Sequence, residues 1–312
     1  MDSEELRLLV KICKMYYLQD LSQNEIAEQL YISRPQVSKL ISKAKQKNII
    51  SFQINDPFSE EERAAAALKQ RYHIEDALVV DTRSGKDTAE KLELLAKNVS
   101  FTLTHYISNG NLIGISAGCT VAACSANTNI YNCKRLQFVP LIAGQSFEGE
   151  KWYANQNCER FANRFQAKYM LLNMPLIISN KEARNELENN KAVRPVLDSY
   201  DHLDVILLGI GQASPNSTLG KCQISRDEIE WAYDHGVKAI IGSSFIDAGG
   251  NEMLGKQSDY FIGIKASQIK KCKTVIAVAM GEEKTEAIKA TLKGDYINVL
   301  CTDLVTARGL LK

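Results

Sequence analysis

A run of polar and basic side chains starts at Ser33, and no acidic residue interrupts it before Lys47. Arg and Gln carry forked groups that pair with base edges, whereas Lys neutralises phosphates, so the run is suited to contact double-stranded DNA. An amphipathic helix with merely solvated charges is the alternative, but such a helix would be expected to mix both signs. The candidate DNA-binding residues are Ser33, Arg34, Gln36, Ser38, Lys39 and Lys43.

Two short helices are predicted to position these residues. Ser22 with Glu25 and Ser33 with Gln36 have the spacing of capping boxes, which mark helix starts. Pro35 fits the first turn of the second helix, where its missing N–H costs nothing. Apolar residues recur at helical spacing, so one face of the pair can pack inward; they are Ile26, Ala27, Leu30, Val37, Leu40 and Ile41. The pattern is typical of a helix-turn-helix.

The flanking segments extend this module. Residues 49–54 (IISFQI) read as a strand, which predicts a winged helix-turn-helix. Upstream, an apolar helical face supplies a first helix; it consists of Leu6, Leu9, Val10, Ile12, Cys13, Tyr16 and Tyr17. Pro57 follows the predicted wing, so we expect a DNA-binding domain at residues 1–56 and a second domain at 57–312. Ser59 with Glu62 and the alanines that follow predict a helix over residues 60–72 at the start of the second domain.

A second group of residues could bind an anion. Gly114–Thr120 (GISAGCT) leads from an apolar run into a predicted helix, where glycines and unpaired backbone N–H groups can approach a phosphate. Ser116 and Thr120 would add hydroxyl donors. Lys284 opens another helix, a position that is unfavourable for a cation unless an anion lies nearby. Asp247 could accept hydrogen bonds from sugar hydroxyls, or could simply stabilise its own Asp-Ala-Gly-Gly turn.

The second domain alternates short apolar runs with amphipathic stretches. Strands are predicted at residues 77–80, 112–115, 138–142, 205–208, 239–241, 275–279 and 297–300, and helices at 87–106, 155–169, 225–234 and 284–292. This order predicts an α/β fold with a doubly wound parallel sheet. Such sheets bind ligands at the carboxyl ends of their strands, which is where the glycine turns and Lys284 fall.

Composition excludes several classes of protein. The net charge is only +1, so nucleic-acid affinity must come from a local patch, which argues against a non-specific nucleic-acid binder. No apolar run approaches the roughly 18 residues of a membrane span, and the acidic N-terminus does not read as a secretory signal. The eight cysteines are scattered without metal-ligand spacing, which favours a reduced, cytoplasmic protein. We find no P-loop, no dinucleotide fingerprint and no catalytic triad pattern, and we expect neither metal nor cofactor.

The chain resembles the SorC family of bacterial transcriptional regulators from about Leu6 to Leu310. The resemblance rests on LSQNEIAEQLYISRPQVSKLI, GISAGCTV, LLGIG, FIDAGGN and VAMGEEKTEAIKATLKGDYINVLCTD, and on their order. It implies a winged helix-turn-helix joined to an effector domain related to sugar-phosphate isomerases, in which a phosphorylated sugar or polyol controls operator binding. It also implies a homodimer or homotetramer. The chain departs from many relatives at Ala117 and Met280, which we expect to border the ligand.

Carried over residue by residue, the resemblance places the effector on Ser116, Gly118, Cys119 and Thr120, with Asn155, Asp247 and Lys284 as further contacts. An enzyme remains the alternative, namely a sugar-phosphate isomerase or deaminase with a DNA-binding head. Isomerisation requires a general base beside the substrate. Asp247 is the candidate base, and no second acid or base accompanies it in the sequence.

Overall fold

The computed structural model describes residues 3–50, 52, 59–128, 133–144, 152–214, 226–253 and 260–312. The chain divides into two compact units, Met1–Asp56 and Pro57–Lys312. Half of the predicted wing (residues 51, 53 and 54), the segment at residues 55–58 and the first residue of the helix predicted at 225–234 lie outside the described residues.

Three helices form the smaller unit: α1 (Ser3–Tyr17), α2 (Gln23–Leu30) and α3 (Arg34–Gln46). Both predicted capping boxes are present, because Ser22 and Ser33 each accept from the N–H three residues on, and Glu25 and Gln36 reach back. Tyr31 has a left-handed φ of 53°, which ends α2 and turns the chain toward α3. The buried side chains are Leu9, Ile12, Cys13, Met15, Ile26, Ala27, Val37, Ile41 and Ala44.

A seven-stranded parallel sheet forms the centre of the larger unit, in the order β1-β10-β9-β5-β2-β3-β4. Its strands are β1 (Asp76–Val80), β2 (Leu112–Ile115), β3 (Gln137–Pro140), β4 (Lys168–Tyr169), β5 (Val205–Gly209), β9 (Thr274–Val278) and β10 (Val299–Asp303). The parallel α/β prediction is confirmed. Among the described strands of this sheet, the two-residue edge strand β4 is the one without a counterpart among the predicted strands.

Helices cover both faces of this sheet. Successive side chains of β5 alternate between two buried clusters: Val205 and Leu207 join one, and Ile206 and Leu208 join the other. Helices α5 (Thr88–Tyr106), α6 (Cys119–Asn127) and α7 (Ala154–Phe165) pack on the first face. The second face carries α4 (Glu60–Tyr72), α9 (Arg194–Asp198), α11 (Ala266–Ile269), α12 (Thr285–Lys293) and α13 (Leu304–Leu311). Helices α8 (Lys181–Glu188) and α10 (Arg226–Asp234) complete the set.

The strand predicted at residues 239–241 forms, but its assignment to the parallel sheet is wrong. Residues Ala239–Ile241 are β6 of a separate antiparallel sheet with β7 (Ser244–Ile246) and β8 (Glu252–Met253). A tight turn brings β7 back along β6, so both strands pair with each other. Ile240 of β6 and Phe245 of β7 pack with Phe261 in a third, smaller cluster. A three-residue apolar run does not by itself specify which strand lies beside it.

Tyr200 provides a test of the core. It lies on a 3-10 helix (Ser199–His202), is 3% exposed, and donates its hydroxyl to the Pro140 carbonyl oxygen over 2.8 Å. Burial raises the pKa of the Tyr200 hydroxyl, which keeps it a neutral donor. Tyr200→Phe should lower the free energy of unfolding by about 1–2 kcal/mol, because the carbonyl loses its partner. Tyr233→Phe, at a 67% exposed tyrosine, is the control for calorimetric unfolding; equal effects would contradict this role.

Candidate functional site

A cavity of about 450 Å³ opens at the carboxyl ends of β2, β5 and β9. The chain adds β3 and β4 on one side of β2, then adds β5, β9 and β10 on the other, so its direction across the sheet reverses between β2 and β5. Ligands of open α/β sheets bind at such reversals. The turns after β2, β5 and β9 supply one side of the lining, which includes Ser116–Thr120, Gly209–Gln212, Met280, Glu283 and Lys284.

The start of α6 borders this cavity. Gly118 is its N-cap residue, with φ 125°, and it offers no side chain to cap the helix. The first intrahelical hydrogen bond runs from Ala122 N to Gly118 O, so the N–H groups of Thr120 and Val121 precede the hydrogen-bonded turns. A helix start of this kind carries partial positive charge and favours an anion.

A second helix start reaches the same cavity. Gly281, with φ 113°, precedes a 3-10 turn (Glu282–Lys284) that continues into α12, again without a side-chain cap. The half-buried Lys284 lines the cavity, and its Nζ donates to the Ile210 carbonyl oxygen over 3.1 Å. Burial lowers the pKa of Lys284, while Glu283 and Cys119 act in the opposite direction. The cavity therefore contains a cation held by a neutral carbonyl oxygen beside two helix starts.

The hydroxyl groups of Ser116 and Thr120 have structural partners. Ser116 Oγ accepts from Gly209 N over 2.7 Å and donates to the Ala117 carbonyl oxygen over 3.0 Å. Thr120 Oγ1 donates to the Val278 carbonyl oxygen over 3.0 Å. Both residues line the cavity as predicted, yet their protons go to the backbone and link β2 and α6 to β5 and β9. Backbone N–H groups and Lys284 remain the donors best placed for an anion.

An apolar wall faces these donors, and the sequence reasoning missed it. Trp152 and Tyr153 stack with ring centroids 4.2 Å apart, beside Leu176 and Ile142. The Trp152 carbonyl oxygen accepts from Gly118 N over 2.8 Å, which ties the wall to the α6 start. The fully buried Asn157 strengthens this tie by donating to the carbonyl oxygens of Ser116 and Trp152. No spacing motif marks the wall; an aromatic pair just before a helix is its only sequence signal.

Two predicted effector residues do not line the cavity. Asn155 is bonded to the chain after β4, because its side chain accepts from Leu172 N and donates to the Leu172 carbonyl oxygen. Asp247 lies in the β7–β8 turn, where its carboxylate accepts from the N–H groups of Gly249 and Asn251. These bonds lower the pKa of Asp247. Its turn packs against the C-terminal end of α12, at Gly294, about 13 Å along the helix from the cavity.

The exposed face of α3 carries the predicted DNA-binding residues. Ser33, Arg34, Gln36, Ser38 and Lys39 are all exposed. Gln36 also caps the helix, since its Oε1 accepts from Ser33 N over 2.8 Å. The remaining predicted residue, Lys43, is half-buried and pairs with Glu5 of α1. The pairing reduces the charge that Lys43 can offer to a phosphate.

Metal ligation and membrane insertion have no support in the part of the chain that the structure describes. No group of three His, Cys, Asp or Glu side chains in these ranges could hold a metal ion. Within the same ranges, no helix has both the length and the apolar character needed to cross a membrane.

Residues 56–312 match the model of a family described as "Putative sugar-binding domain". The chain belongs to this family. The match begins at the boundary between the two compact units and continues to the last residue, so it covers the whole cavity-bearing unit.

Relatives of the family align with the chain along nearly all of its length. The deoxyribonucleoside regulator of Bacillus subtilis is 28% identical over 100% of this chain and 99% of its own. The sorbitol operon regulator of Klebsiella pneumoniae is 28% identical over the same shares. The full-length crystal structure of that sorbitol operon regulator, SorC, superposes with a TM-score of 0.79 over 100% of both chains at 29% identity. The resemblance to SorC regulators is confirmed.

Ala117 and Met280, which we expected to border the ligand, both line the cavity. They lie on opposite sides of β5, after β2 and β9 respectively. A change at either position alters the shape of the site. Effector preference in this chain therefore has to be measured directly.

The half-buried Lys284 generates a stability prediction. Its pKa is lower in the folded chain than the ordinary value of 10.5, so folding disfavours its charged form. Lys284→Met should therefore raise the free energy of unfolding at pH 7 by about 1 kcal/mol. The difference from wild type should shrink as pH rises toward 10.5, because the wild-type lysine then loses its proton.

Denaturant unfolding at several pH values measures this difference. Lys97→Met is the matched control, because Lys97 is an exposed lysine paired with Glu93. A Lys284→Met protein that is less stable than wild type at pH 7, or a difference that does not depend on pH, would refute the prediction.

Proposed function

We propose that the chain is a DNA-binding transcriptional regulator whose operator binding is controlled by a phosphorylated sugar or polyol. The smaller unit is the winged helix-turn-helix, and the larger unit binds the effector and, by analogy with symmetric DNA-binding proteins, forms the homodimer or homotetramer. The observation that carries the proposal is the cavity at the sheet reversal, where two uncapped helix starts and Lys284 converge. The names of the relatives support the same reading.

The phosphate is assigned to the space between the α6 start and Lys284. Backbone N–H groups and an ammonium provide charge-assisted hydrogen bonds, which are stronger than those available to a neutral hydroxyl. Among the predicted effector residues, Gly118, Cys119, Thr120 and Lys284 would surround the phosphate, with Ser116 holding the turn. Asn155 would support the adjacent wall, and Asp247 would act only through its own turn. The stacked aromatic pair would contact the carbon skeleton of the effector.

The enzyme alternative is not favoured. Asp247, the general base that it requires, lies outside the cavity and accepts hydrogen bonds from its own turn. Glu283 and Lys284 are the charged side chains of the described lining, and both belong to one helix start. Isomerisation needs a general base positioned at the proton that it removes, and the named relatives are regulators.

Calorimetry tests the effector assignment with pairs of compounds that differ only in a phosphate. In a panel of sugar and polyol phosphates and their unphosphorylated parents, the phosphorylated compounds should bind more tightly than the parents. Lys284→Ala should weaken binding of the phosphorylated member by roughly 10- to 100-fold, because it removes one charged donor. The parent should bind weakly to both proteins, and Lys289→Ala, at a lysine paired with Glu286, is the control.

Thermal unfolding with and without the compound tests the same assignment independently. A compound present at 100 times its dissociation constant should add about 2.7 kcal/mol to the free energy of unfolding. Equal affinity for a sugar and its phosphate, or an unchanged response in Lys284→Ala, would exclude the phosphate site.

Selection of bound sequences from random DNA tests the α3 assignment. Gln36→Glu keeps the capping box but replaces the amide with a carboxylate, which prefers cytosine over adenine. Gln36→Glu should change the binding free energy of the preferred base, relative to the other bases, by about 1–3 kcal/mol at one operator position. Arg34→Ala should have an effect of the same size. Lys39→Ala should instead weaken binding to all DNA sequences alike. It should also reduce by about one the slope of log affinity against log salt concentration.

Lys11→Ala, at an exposed cation on α1, serves as the control for general charge loss. Selected sequences that are identical for wild type, Gln36→Glu and Arg34→Ala would show that α3 does not read bases.

A further inference from the structure

We propose that α13, the C-terminal helix, transmits occupancy of the cavity to α4, the first helix of the larger unit. The inference rests on the proposed function, because it requires that an anion bind beside Lys284. Its basis is the set of contacts that α13 makes with the Lys284 turn at one end and with α4 at the other.

The N-terminal end of α13 holds the turn that carries Lys284. Gly281 N donates to Thr306 Oγ1 over 2.9 Å and approaches Asp303 Oδ1 at 3.3 Å. Thr306 in turn donates to the same Asp303 oxygen, and both residues are buried. One turn further along, α13 packs directly on the start of α12, because a Cβ added at Gly309 would lie 3.0 Å from Thr285 Oγ1. The Lys284 turn is thus fixed to α13 on both sides.

The C-terminal end of α13 holds α4. Tyr72 donates its hydroxyl to the Leu310 carbonyl oxygen over 2.8 Å, and Arg71 Nη1 donates to the Leu311 carbonyl oxygen. At the other end of α4, Arg308 Nε donates to Glu60 Oε1 over 2.8 Å. The bonds from Tyr72 and Arg71 satisfy two carbonyl oxygens that the end of α13 leaves without intrahelical partners.

An apolar interface joins the two helices between these bonds. Leu304, Ala307 and Leu310 of α13 are buried in one cluster with Ala64, Ala65 and Leu68 of α4. A short helix packed in this way moves as a unit, so a displacement at its start reaches its end. An anion that pulls Lys284 and Gly281 toward the cavity would therefore shift α13 and, with it, α4. The shift is limited by how much better the anion binds one arrangement than the other.

Two kinds of contact allow the coupling through α13 to be tested separately from the stability of the larger unit. Arg308 and Glu60 are exposed, and exposed ion pairs contribute little to stability. Their loss should leave the unit folded while removing one of the contacts between α4 and α13. Thr306 is a positioning residue for the Lys284 turn; Thr306→Val removes the hydroxyl, and Thr306→Ser retains it.

Hydrogen exchange of the full chain, measured with inorganic phosphate or with chloride at equal ionic strength, tests the inference. In the wild type, phosphate should slow exchange at residues 281–285 and also at residues 60–72. Arg308→Ala and Glu60→Gln should retain the first effect and diminish the second, because one of the contacts between α13 and α4 is lost. Thr306→Val should diminish both effects, and Thr306→Ser should restore them. Arg194→Ala, which breaks the exposed Arg194–Asp198 pair on α9, should retain both.

The outcomes distinguish this inference from the proposed function. Protection at residues 281–285 without any change at 60–72 in the wild type would overturn the coupling and leave the anion site intact. Protection at 60–72 that persists in Arg308→Ala, Glu60→Gln and Thr306→Val would overturn the assigned path. The absence of protection at 281–285 would overturn the anion site and, with it, this inference.

Discussion

The parallel pairing of β2, β5 and β9 is the constraint on which the site depends. It brings three strand ends to one edge of the sheet, at the point where the chain reverses its direction across the sheet. Two helices begin at this edge with a glycine at positive φ, Gly118 and Gly281, and glycine alone adopts that conformation without strain. Both helix starts therefore lie beside one cavity. The hydroxyls of Ser116 and Thr120 hold the strands together behind it.

The charge of Lys284 determines which kind of ligand this geometry favours. Lys284 is desolvated beside an apolar wall, and its ammonium has a backbone carbonyl as its hydrogen-bond partner. Desolvation of the Lys284 ammonium is costly, and an anion in the cavity would offset that cost. The same turn is anchored to α13 through Gly281, so the group that would attract the ligand is also the group through which binding could be transmitted. Recognition and response then involve the same few residues.

Sequence patterns predicted the features that depend on residues close together in the chain. The bounds of α4 follow from Ser59 and an alanine run, and the capping boxes of α2 and α3 follow from residue types three positions apart. Contacts between distant segments could not be read in this way. The sequence does not specify that β6 pairs with β7, that the Asp247 turn packs against the end of α12 away from the cavity, or that Trp152 forms a cavity wall. Each depends on which segments meet in space.

A crystal structure of the full chain with a sugar phosphate selected by calorimetry tests the central claim most directly. The account predicts that the phosphorus atom lies within about 4 Å of Lys284 Nζ and of the N–H groups at the start of α6, which is the range of charge-assisted hydrogen bonds. The carbon skeleton should then lie against Trp152 and Tyr153. A phosphate bound elsewhere in the larger unit, with Lys284 still bonded to the Ile210 carbonyl oxygen, would contradict the account.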